Sequence, residues 1–300
     1  KWYFKASSAD IRTKVEFIKA HSTKYGISAL SKALKVNRST VYYKSVVNKE
    51  EKQRNHQEDL DKVQRVFDEN RKKYGSRKIK KVLANEETVF SRRKILRLMK
   101  ELNIRSCYNT KKYRNYSSKK CNETNCSNLL SRNFDGWSEN EVIVSDLTYV
   151  EVNGQWNYIC TLIDLFNREI VGFSVGKNKT AELVKKAFDY SNIDLSKIMI
   201  FHTDRGCEFE NISIDAFLEK NSILRSLSRK GCPYDNAVAE STFKIVKTEF
   251  VMGRNFGSLE NMELEFSDYV HWYNNCRIHG SLNYLSPVAF KRRPLKYLSN

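Results

Sequence analysis

Val142-Ile-Val-Ser-Asp-Leu-Thr-Tyr-Val150 is a run of mostly β-branched and apolar residues that predicts a strand, and it carries an acid, Asp146, near its centre. Asp204 follows a second apolar run, Ile198-Met-Ile-Phe201, within the string His-Thr-Asp-Arg-Gly. Glu240 lies in Pro-Tyr-Asp-Asn-Ala-Val-Ala-Glu-Ser, a string typical of the start of a helix, and 35 residues separate it from Asp204. Three acids brought together by a fold are the ligands that hard divalent cations need, and two such cations can catalyse phosphoryl transfer on DNA.

The segments around these acids predict an α/β core. Val142–Val152 and Trp156–Phe166 predict two strands joined by the tight-turn pair Asn153-Gly154, and Glu169–Val175 predicts a third strand. The following segments predict, in order, a helix at Thr180–Tyr190, a strand at Lys197–Phe201, a helix at Ser213–Glu219 and a strand at Ile223–Leu227. This order indicates a ribonuclease H-like fold, a mixed five-stranded sheet with helices. Asp146 is then expected on the first strand, Asp204 at the end of the fourth, and Glu240 on a helix beside them.

The N-terminal half predicts helices instead, in two similar units. After a helix at about Ile11 to His21, apolar residues recur at helical spacing from Ile27 to Leu34, and a break at Val36-Asn37 separates them from a further helix. This is typical of a helix-turn-helix, although a plain helical hairpin explains the spacing equally well. The candidate DNA contacts on the recognition helix are Arg38, Ser39, Thr40, Tyr42 and Tyr43.

The second unit begins with an amphipathic helix, predicted from about Glu58 to Tyr74 and ending at Gly75. Two short basic helices follow, from Ser76 and from Ser91. Their apolar stripes, expected in the core, are Ile79, Val82 and Leu83, then Ile95, Leu98 and Met99. Their basic faces supply the candidate DNA contacts Arg77, Lys78, Arg92 and Arg93.

Charge divides the chain in the same way. The net charge is +18, with 53 Lys and Arg against 35 Asp and Glu. Residues 1–135 hold 34 of the basic and 14 of the acidic residues, whereas residues 136–300 hold 19 and 21. So uneven a distribution indicates that the N-terminal half binds a polyanion.

Between the halves, residues 107–135 are rich in Lys, Asn, Ser and Tyr and show little periodicity. They are either a disordered tether or an arm along DNA, with aromatic and basic residues interleaved. These residues are Tyr108, Tyr113 and Tyr116 with Lys111, Lys112, Arg114 and Lys119. Cys121 and Cys126 are close in sequence here, but the lack of a nearby His disfavours a zinc site.

Several classes of protein are excluded by composition. No run of about 18 apolar residues predicts a membrane span, and the start Lys1-Trp-Tyr-Phe-Lys5 does not predict a signal peptide. Because the first residue is not Met, we expect a fragment or part of a longer product. The 7 cysteines lack the spacing of a disulfide framework, so reduced thiols in the cytoplasm are expected.

Four motifs in order along the chain point to one family. They are Ser145-Asp-Leu-Thr-Tyr149, His202-Thr-Asp-Arg-Gly206, Ser228-Arg-Lys-Gly-Cys-Pro-Tyr-Asp-Asn-Ala-Val-Ala-Glu-Ser241, and Tyr273-Asn-Asn-Cys-Arg-Ile-His-Gly-Ser-Leu282 with Ser286-Pro287. With these motifs the chain resembles DDE-type transposases of bacterial insertion sequences, in the retroviral-integrase superfamily. More narrowly, it resembles the downstream-frame product of elements that join two reading frames by frameshifting. The resemblance runs from about Gly26 to Phe290.

The resemblance implies a function and a site. The catalytic, metal-binding carboxylates would be Asp146, Asp204 and Glu240, with two Mg²⁺ ions for which Mn²⁺ could substitute. Seven residues after Glu240, Lys247 would lie on the same helix face and contact DNA, as would Lys244. The implied partners are double-stranded DNA, both the terminal inverted repeats of the element and the target, and further copies of the chain. The enzyme would cleave the element ends and join their 3′-hydroxyls to a target strand, in the bacterial cytoplasm and on the nucleoid.

Other residues have more than one possible role. His202 either orients Asp204 or fills core space, and Arg277 and His279 support the active-site helix, contact DNA phosphate or pack in the core. A helix-turn-helix repressor with an inactive α/β half and a nuclease that only cuts are rival functions. The expected domains are 1–50 (helix-turn-helix), 51–106 (second basic unit), 107–135 (linker), 136–255 (catalytic core) and 256–300 (helical extension).

Overall fold

A computed structural model of the chain describes residues 9–46, 49–109, 126–191 and 193–293. These residues form two compact units, one within 1–65 and 96–103 and the other within 66–95 and 104–300. Most of the predicted linker lies outside the described residues. This applies to Tyr113, Tyr116, Lys111, Lys112, Arg114, Lys119 and Cys121.

The first unit contains the predicted helix-turn-helix. Its helices are α1 (Ile11–Tyr25), α2 (Ile27–Ala33) and α3 (Arg38–Val46). Asp10 caps α1 by accepting a hydrogen bond from the Thr13 N–H at 2.8 Å, and Gly26 separates α1 from α2 with a φ of 72°. The three helices share a small core formed by Val15, Ile18, Leu30, Leu34, Val36 and Val41.

Three further helices are α4 (Lys49–Glu69), α5 (Ser76–Asn85) and α6 (Arg92–Glu101). The predicted bounds of α4 are wrong at both ends. The helix ends before Tyr74 because Arg71 and Lys72 adopt left-handed φ values of 55° and 60°. Of the predicted apolar stripes, Val82 is half-buried, and the fully buried members are Ile79, Leu83, Ile95, Leu98 and Met99.

Five strands form the sheet of the second unit, in the order β3-β2-β1-β4-β5. They are β1 (Val142–Val152), β2 (Gln155–Asp164), β3 (Ile170–Gly176), β4 (Ile200–Thr203) and β5 (Leu224–Leu227). The first three are antiparallel, whereas β4 pairs in parallel with both β1 and β5. Asn153 and Gly154 make the turn between β1 and β2 at positive φ, as predicted. The predicted fold class, helical units followed by a ribonuclease H-like core with a mixed five-stranded sheet, is confirmed.

Helices cover both faces of this sheet. On one face α7 (Ala181–Asp189) and α8 (Ile212–Lys220) pack over an apolar core that includes Ile143, Cys160, Leu162, Phe188 and Phe201. On the other, α9 (Ala237–Val246) packs against β1 and α10 (Leu259–Asn275) against β3. A π-helical turn, Lys247–Val251, follows α9, and α11 spans Pro287–Lys291. Among the described helices, none combines the length and the apolar composition needed to cross a membrane.

Side chains alternate between the faces of a strand, and this decides where the first catalytic candidate points. Leu147 packs against the core beneath α7 and α8. Asp146, its neighbour in β1, therefore points to the opposite face, where α9 lies. The fold thus brings the helix of Glu240 to the face that carries Asp146.

Gly172 of β3 tests how closely α7 lies on the sheet. A Cβ atom at this position would come within 2.5 Å of the Ala187 carbonyl oxygen and 2.9 Å of the Ser191 Cβ. Because the first neighbour is backbone, Gly172→Ala should lower the free energy of unfolding by about 1–3 kcal/mol, measured by urea denaturation. Gly257→Ala is the matched control, since a Cβ atom there meets nothing within 4 Å. Equal urea midpoints for the two variants would contradict the close approach.

Candidate active site

The candidate site lies where two parallel strands part. The pairing of β1 with β4 ends at Val144 and His202. Asp146 comes two residues later on β1, and Asp204 is the first residue after β4. Because parallel strands run in the same direction, both acids come to the same edge of the sheet, the position at which open α/β sheets bind ligands. The strand assignments therefore bring two of the predicted catalytic residues together.

Glu240 reaches this edge from α9. A short 3-10 turn at Pro233–Asn236 leads into the helix, and Glu240 is an exposed acid in its first turn. Burial and the negative charge of Asp204 raise the pKa of Glu240. The two carboxylates are thus close enough to interact electrostatically.

Asp146 also has a raised pKa. Burial, followed by the charge of Asp204, raises its pKa to about 8, although the Leu147 N–H donates to its Oδ1 at 2.8 Å and Lys247 acts in the opposite direction. Such a rise indicates negative charges held near one another in a shielded place. A carboxylate in this setting is stabilised by added positive charge.

The donor set fits a hard divalent cation, since it consists of carboxylate oxygens alone. Across residues 9–46, 49–109, 126–191 and 193–293, no three His, Cys, Asp or Glu side chains meet the spacing of a metal site. Asp146, Asp204 and Glu240 therefore line one edge without closing on a common point. The fit rests on the chemistry of the donors and on their mutual repulsion.

The second acid is held by its own loop. The Gly206 N–H donates to the Asp204 Oδ1 at 3.0 Å. His202 does not contribute to this orientation: its ring nitrogens are hydrogen-bonded to the Ser226 Oγ at 2.8 Å and the Ser228 Oγ at 3.2 Å. Burial lowers the pKa of His202 to about 4, so the ring is neutral. Of its two possible roles, the structure supports packing in the core, where the ring joins β4 to β5.

Asp235 fixes the start of the Glu240 helix, and sequence reasoning missed it. Its fully buried carboxylate accepts hydrogen bonds from the Arg132 Nε at 2.7 Å and the Arg229 Nε at 3.1 Å. These bonds, that of Arg229 foremost, hold its pKa well below the usual range. The next residue, Asn236, donates its Nδ2–H to the Ser145 carbonyl at 3.2 Å, beside Asp146. The string Pro-Tyr-Asp-Asn predicted the start of a helix, but it did not indicate a role for the Asp235 side chain.

Lys247 lies beyond Glu240, at the first position of the π-helical turn. Its Nζ is 5.1 Å from the ring centroid of Tyr149, and its positive charge lowers the pKa of Asp146. Lys247 thus faces the edge that carries the acids. Lys244 is exposed on α9.

The same π-helical turn buries a second acid, Glu249, in an ion pair. Its Oε2 accepts from the Arg277 Nε and its Oε1 from the Arg277 Nη2, both at 2.8 Å. The Tyr108 hydroxyl donates to Oε1 at 2.6 Å and the Tyr269 hydroxyl to Oε2 at 3.2 Å. Burial raises the pKa of Glu249, but the Arg277 guanidinium outweighs it, so the pKa is lower than usual. Four hydrogen bonds to both carboxylate oxygens satisfy the buried charge.

Three predicted DNA contacts are buried or half-buried around this ion pair. Arg277 and His279 are only 3% and 5% exposed, so of their predicted roles support of the active-site helix is the one that the structure favours. Burial and the charge of Arg277 lower the pKa of His279 to about 2. Lys78 also turns inward, with its Nζ 4.7 Å from the Tyr74 ring centroid, and burial lowers its pKa to about 7. The sequence pattern placed Lys78 on a basic surface, whereas tertiary packing leaves its side chain half-buried.

The other predicted DNA contacts lie on helix surfaces. In α3, Thr40 is half-buried, and the exposed candidates are Arg38, Ser39, Tyr42 and Tyr43. On α5 and α6 the exposed candidates are Arg77, Arg92 and Arg93. The Arg92 Nε also donates to the Ser76 Oγ at 3.3 Å, which ties the start of α6 to the start of α5.

Three family models match the chain. A model described as an HTH-like domain matches residues 54–112. Two models described as integrase core domain match residues 138–233 and 240–295. The two core matches together contain Asp146, Asp204 and Glu240.

Curated relatives match over most of their length. The putative transposase InsK for insertion sequence element IS150 of Escherichia coli (strain K12) is 28% identical, over 90% of this chain and 94% of the relative. The transposase for insertion sequence element IS904 of Lactococcus lactis subsp. lactis (strain IL1403) is 30% identical, over 77% of this chain and 92% of the relative. Among solved structures, the HTLV-2 integrase catalytic core domain in complex with magnesium (trimeric form) is 16% identical, with a TM-score of 0.41, over 52% of this chain and 99% of that chain.

The buried ion pair makes a stability prediction. Glu249→Gln keeps the shape of the side chain but leaves Arg277 buried without a counter-charge, so the free energy of unfolding should fall by about 3–5 kcal/mol in urea denaturation. Glu265→Gln is the matched control, because its pair with Arg254, at 2.9 Å, is 33% and 39% exposed. That variant should lose no more than about 1 kcal/mol. Losses of similar size would mean that the buried pair does not anchor the π-helical turn.

Proposed function

The chain belongs to the transposases of bacterial insertion sequences, in the integrase superfamily, and from this membership we propose that it binds the ends of its element, cuts them and joins the freed 3′-hydroxyls to a target strand. The coarser activity, DNA transposition by an integrase-type enzyme, is that of the family. The observation that supports the finer proposal is that three carboxylates line the edge where β1 and β4 part and interact electrostatically there.

The proposed cofactor is Mg²⁺, two ions per site, with Mn²⁺ as a substitute. Asp146, Asp204 and Glu240 would hold the ions, since carboxylate oxygens are the ligands that Mg²⁺ prefers. Ions held there would supply a lowered pKa for the attacking water or hydroxyl and positive charge beside the departing 3′-oxygen. The raised pKa of Asp146 supports this assignment, because a dication relieves the repulsion among the acids.

The residues of the chain supply orientation. The Leu147 and Gly206 N–H groups each hold one carboxylate oxygen, of Asp146 and Asp204 respectively. Asp235 and its arginine partners fix the start of the Glu240 helix, and Glu249 fixes its far end. Reacting groups held in this way lose little entropy on reaching the transition state, which is the main contribution of a protein to phosphoryl transfer.

Lys247 is proposed to bind the phosphate next to the one that is cut. It lies seven residues from Glu240, about 10.5 Å along an α-helix, and it faces Asp146. This is too far for it to act on the same metal, but its ammonium suits a neighbouring phosphate as a point charge. Lys244 is proposed to contact the same backbone.

Recognition of double-stranded DNA is proposed for the N-terminal half, which carries the excess of basic residues. Base contacts are assigned to Arg38, Ser39, Thr40 and Tyr42 on α3, and phosphate contacts to Arg77, Arg92 and Arg93 on α5 and α6. Its partners are the terminal inverted repeats, the target and further copies of the chain on DNA. Because both DNA partners lie in the nucleoid, the chain acts in the bacterial cytoplasm.

Asp204→Asn tests whether one metal site serves both steps. The change removes a metal-binding charge but almost no volume, so DNA binding and thermal stability should be retained. Cleavage of end DNA and joining of pre-cut ends should both fall below detection, as measured by sequencing the products formed with Mg²⁺. Asp215→Asn, an exposed acid on α8, is the control and should act like wild type. Joining of pre-cut ends by Asp204→Asn would contradict a single metal site for both steps. If the wild-type protein cuts end DNA but never joins it, the rival function, a nuclease that only cuts, is favoured.

Lys247→Ala tests phosphate positioning. Loss of the point charge should lower single-turnover cleavage and joining about 10- to 100-fold at saturating Mg²⁺. Lys247→Arg should recover part of that loss, because charge matters more than shape at this distance. Lys220→Ala, an exposed lysine in the last turn of α8, is the control. Wild-type rates for Lys247→Ala would show that the side chain takes no part in the reaction.

A further inference from the structure

An exposed aromatic pair adjoins the acids. Tyr149 of β1 and Trp156 of β2 are 39% and 55% exposed. Their ring centroids are 5.1 Å apart and their planes meet at 89°, an edge-to-face arrangement. Tyr149 pairs with Tyr158 and Trp156 with Glu151, so the two rings are diagonal neighbours on one face of the hairpin. The hairpin thus presents a large aromatic surface to solvent.

Lys247 connects this surface with the active-site edge. Its Nζ lies 5.1 Å from the Tyr149 ring centroid, and the same charge acts on Asp146. Tyr149 follows Asp146 by three residues in β1, about 10 Å along the strand, and side-chain alternation places the two on opposite faces of the sheet. Lys247 lies against the Tyr149 ring and acts on Asp146, so it links the two faces at the edge of β1 that is not paired with β4. DNA that passes this edge from the carboxylates comes within reach of the aromatic pair.

We propose that Tyr149 and Trp156 stack an unpaired base at the end of the element DNA, while Lys247 holds the adjacent phosphate. The inference rests on the proposed function and names the substrate feature that the site recognises. Aromatic rings bind bases of any sequence by stacking, and a cation beside them holds the backbone. The end of a duplex is where a base is most easily unpaired, because it stacks on one side only. The combination of two exposed rings and one ammonium favours nucleic acid over a second copy of the chain.

Stacking at this site separates the strands next to the bond that is cut. An unpaired base leaves its phosphodiester free to enter the edge between β1 and β4. Unpairing costs a few kcal/mol, which stacking on the two rings offsets. At an end with a mismatched terminal pair, the terminal base is already unpaired, so no free energy of unpairing is needed. Such an end should therefore depend less on the aromatic pair than a fully paired end does.

The test uses the full chain and end duplexes with 2-aminopurine at the terminal position, whose fluorescence is quenched by stacking. Wild type should quench the terminal probe, whereas Trp156→Ala should not. For cleavage of paired ends, Trp156→Ala should raise KM about 10-fold and change kcat less, and Trp156→Phe should recover most of the loss. On mismatched ends the defect of Trp156→Ala should shrink, which a merely structural defect would not do.

Tyr190→Ala is the matched control. Tyr190 is 63% exposed, and the Lys186 Nζ lies 5.2 Å from its ring centroid, so it has the same aromatic and cationic chemistry at the C-terminal end of α7. This variant should quench and cleave like wild type. Thermal unfolding of each variant shows whether a defect comes from the missing aromatic ring or from a destabilised fold.

Three results would overturn the inference. They are terminal quenching by Trp156→Ala equal to that of wild type, a defect of the same size on paired and mismatched ends, and a defect confined to joining, which would assign the surface to target DNA. Failure of wild type to cut would instead contradict the proposed function. The quenching measurement needs only binding, so it reports on the aromatic pair in that case as well.

Discussion

The ion pair between Glu249 and Arg277 is the constraint on which the active-site helix depends. It joins the π-helical turn after α9 to the end of α10, and through the Tyr108 hydroxyl it also holds the segment after α6. A buried pair contributes little stability relative to apolar residues, but it tolerates one geometry, because every misplacement leaves a charge unsatisfied. The helix that carries Glu240 is therefore fixed at its far end by electrostatics and at its start by Asp235.

A second constraint sets where chemistry is possible. A fully paired sheet leaves no room for a ligand between its strands. The pairing of β1 with β4 ends at Val144, and β1 continues for eight more residues, from Ser145 to Val152. The parting of these strands exposes Asp146 without breaking the pairing of β1 with β2. The long β1–β2 hairpin thus stays fully paired on one side, while the other edge of β1 is left without a strand partner just after Val144. The same strand therefore holds Asp146 in place through its pairing with β2 and leaves the side of Asp146 that faces away from β2 unpaired.

Local sequence pattern was sufficient to predict the sheet and the elements on which the three acids lie. The turn at Asn153-Gly154 and the apolar runs before Asp146 and Asp204 predict structure from neighbours in sequence, and the strands follow them. The burial of the Lys78, Arg277 and His279 side chains could not be predicted in this way. Each lies in a polar or basic string, and tertiary contacts bury Arg277 and His279 and half-bury Lys78. The end of α4 was missed for another reason, because Arg71 and Lys72 adopt a backbone conformation that their residue types do not signal.

Charge balance around the site explains why a cation suits this edge and not its surroundings. Buried acids nearby have basic partners: Asp235 with Arg132 and Arg229, Glu208 with Lys179, and Glu249 with Arg277. Asp146, in contrast, has its pKa raised by burial and by Asp204, and Lys247 only partly offsets this. Negative charge is therefore neutralised at these three acids, whereas that of Asp146 is only partly compensated where the strands part. A hard dication, the proposed cofactor, would relieve this remaining repulsion if it bound where the strands part.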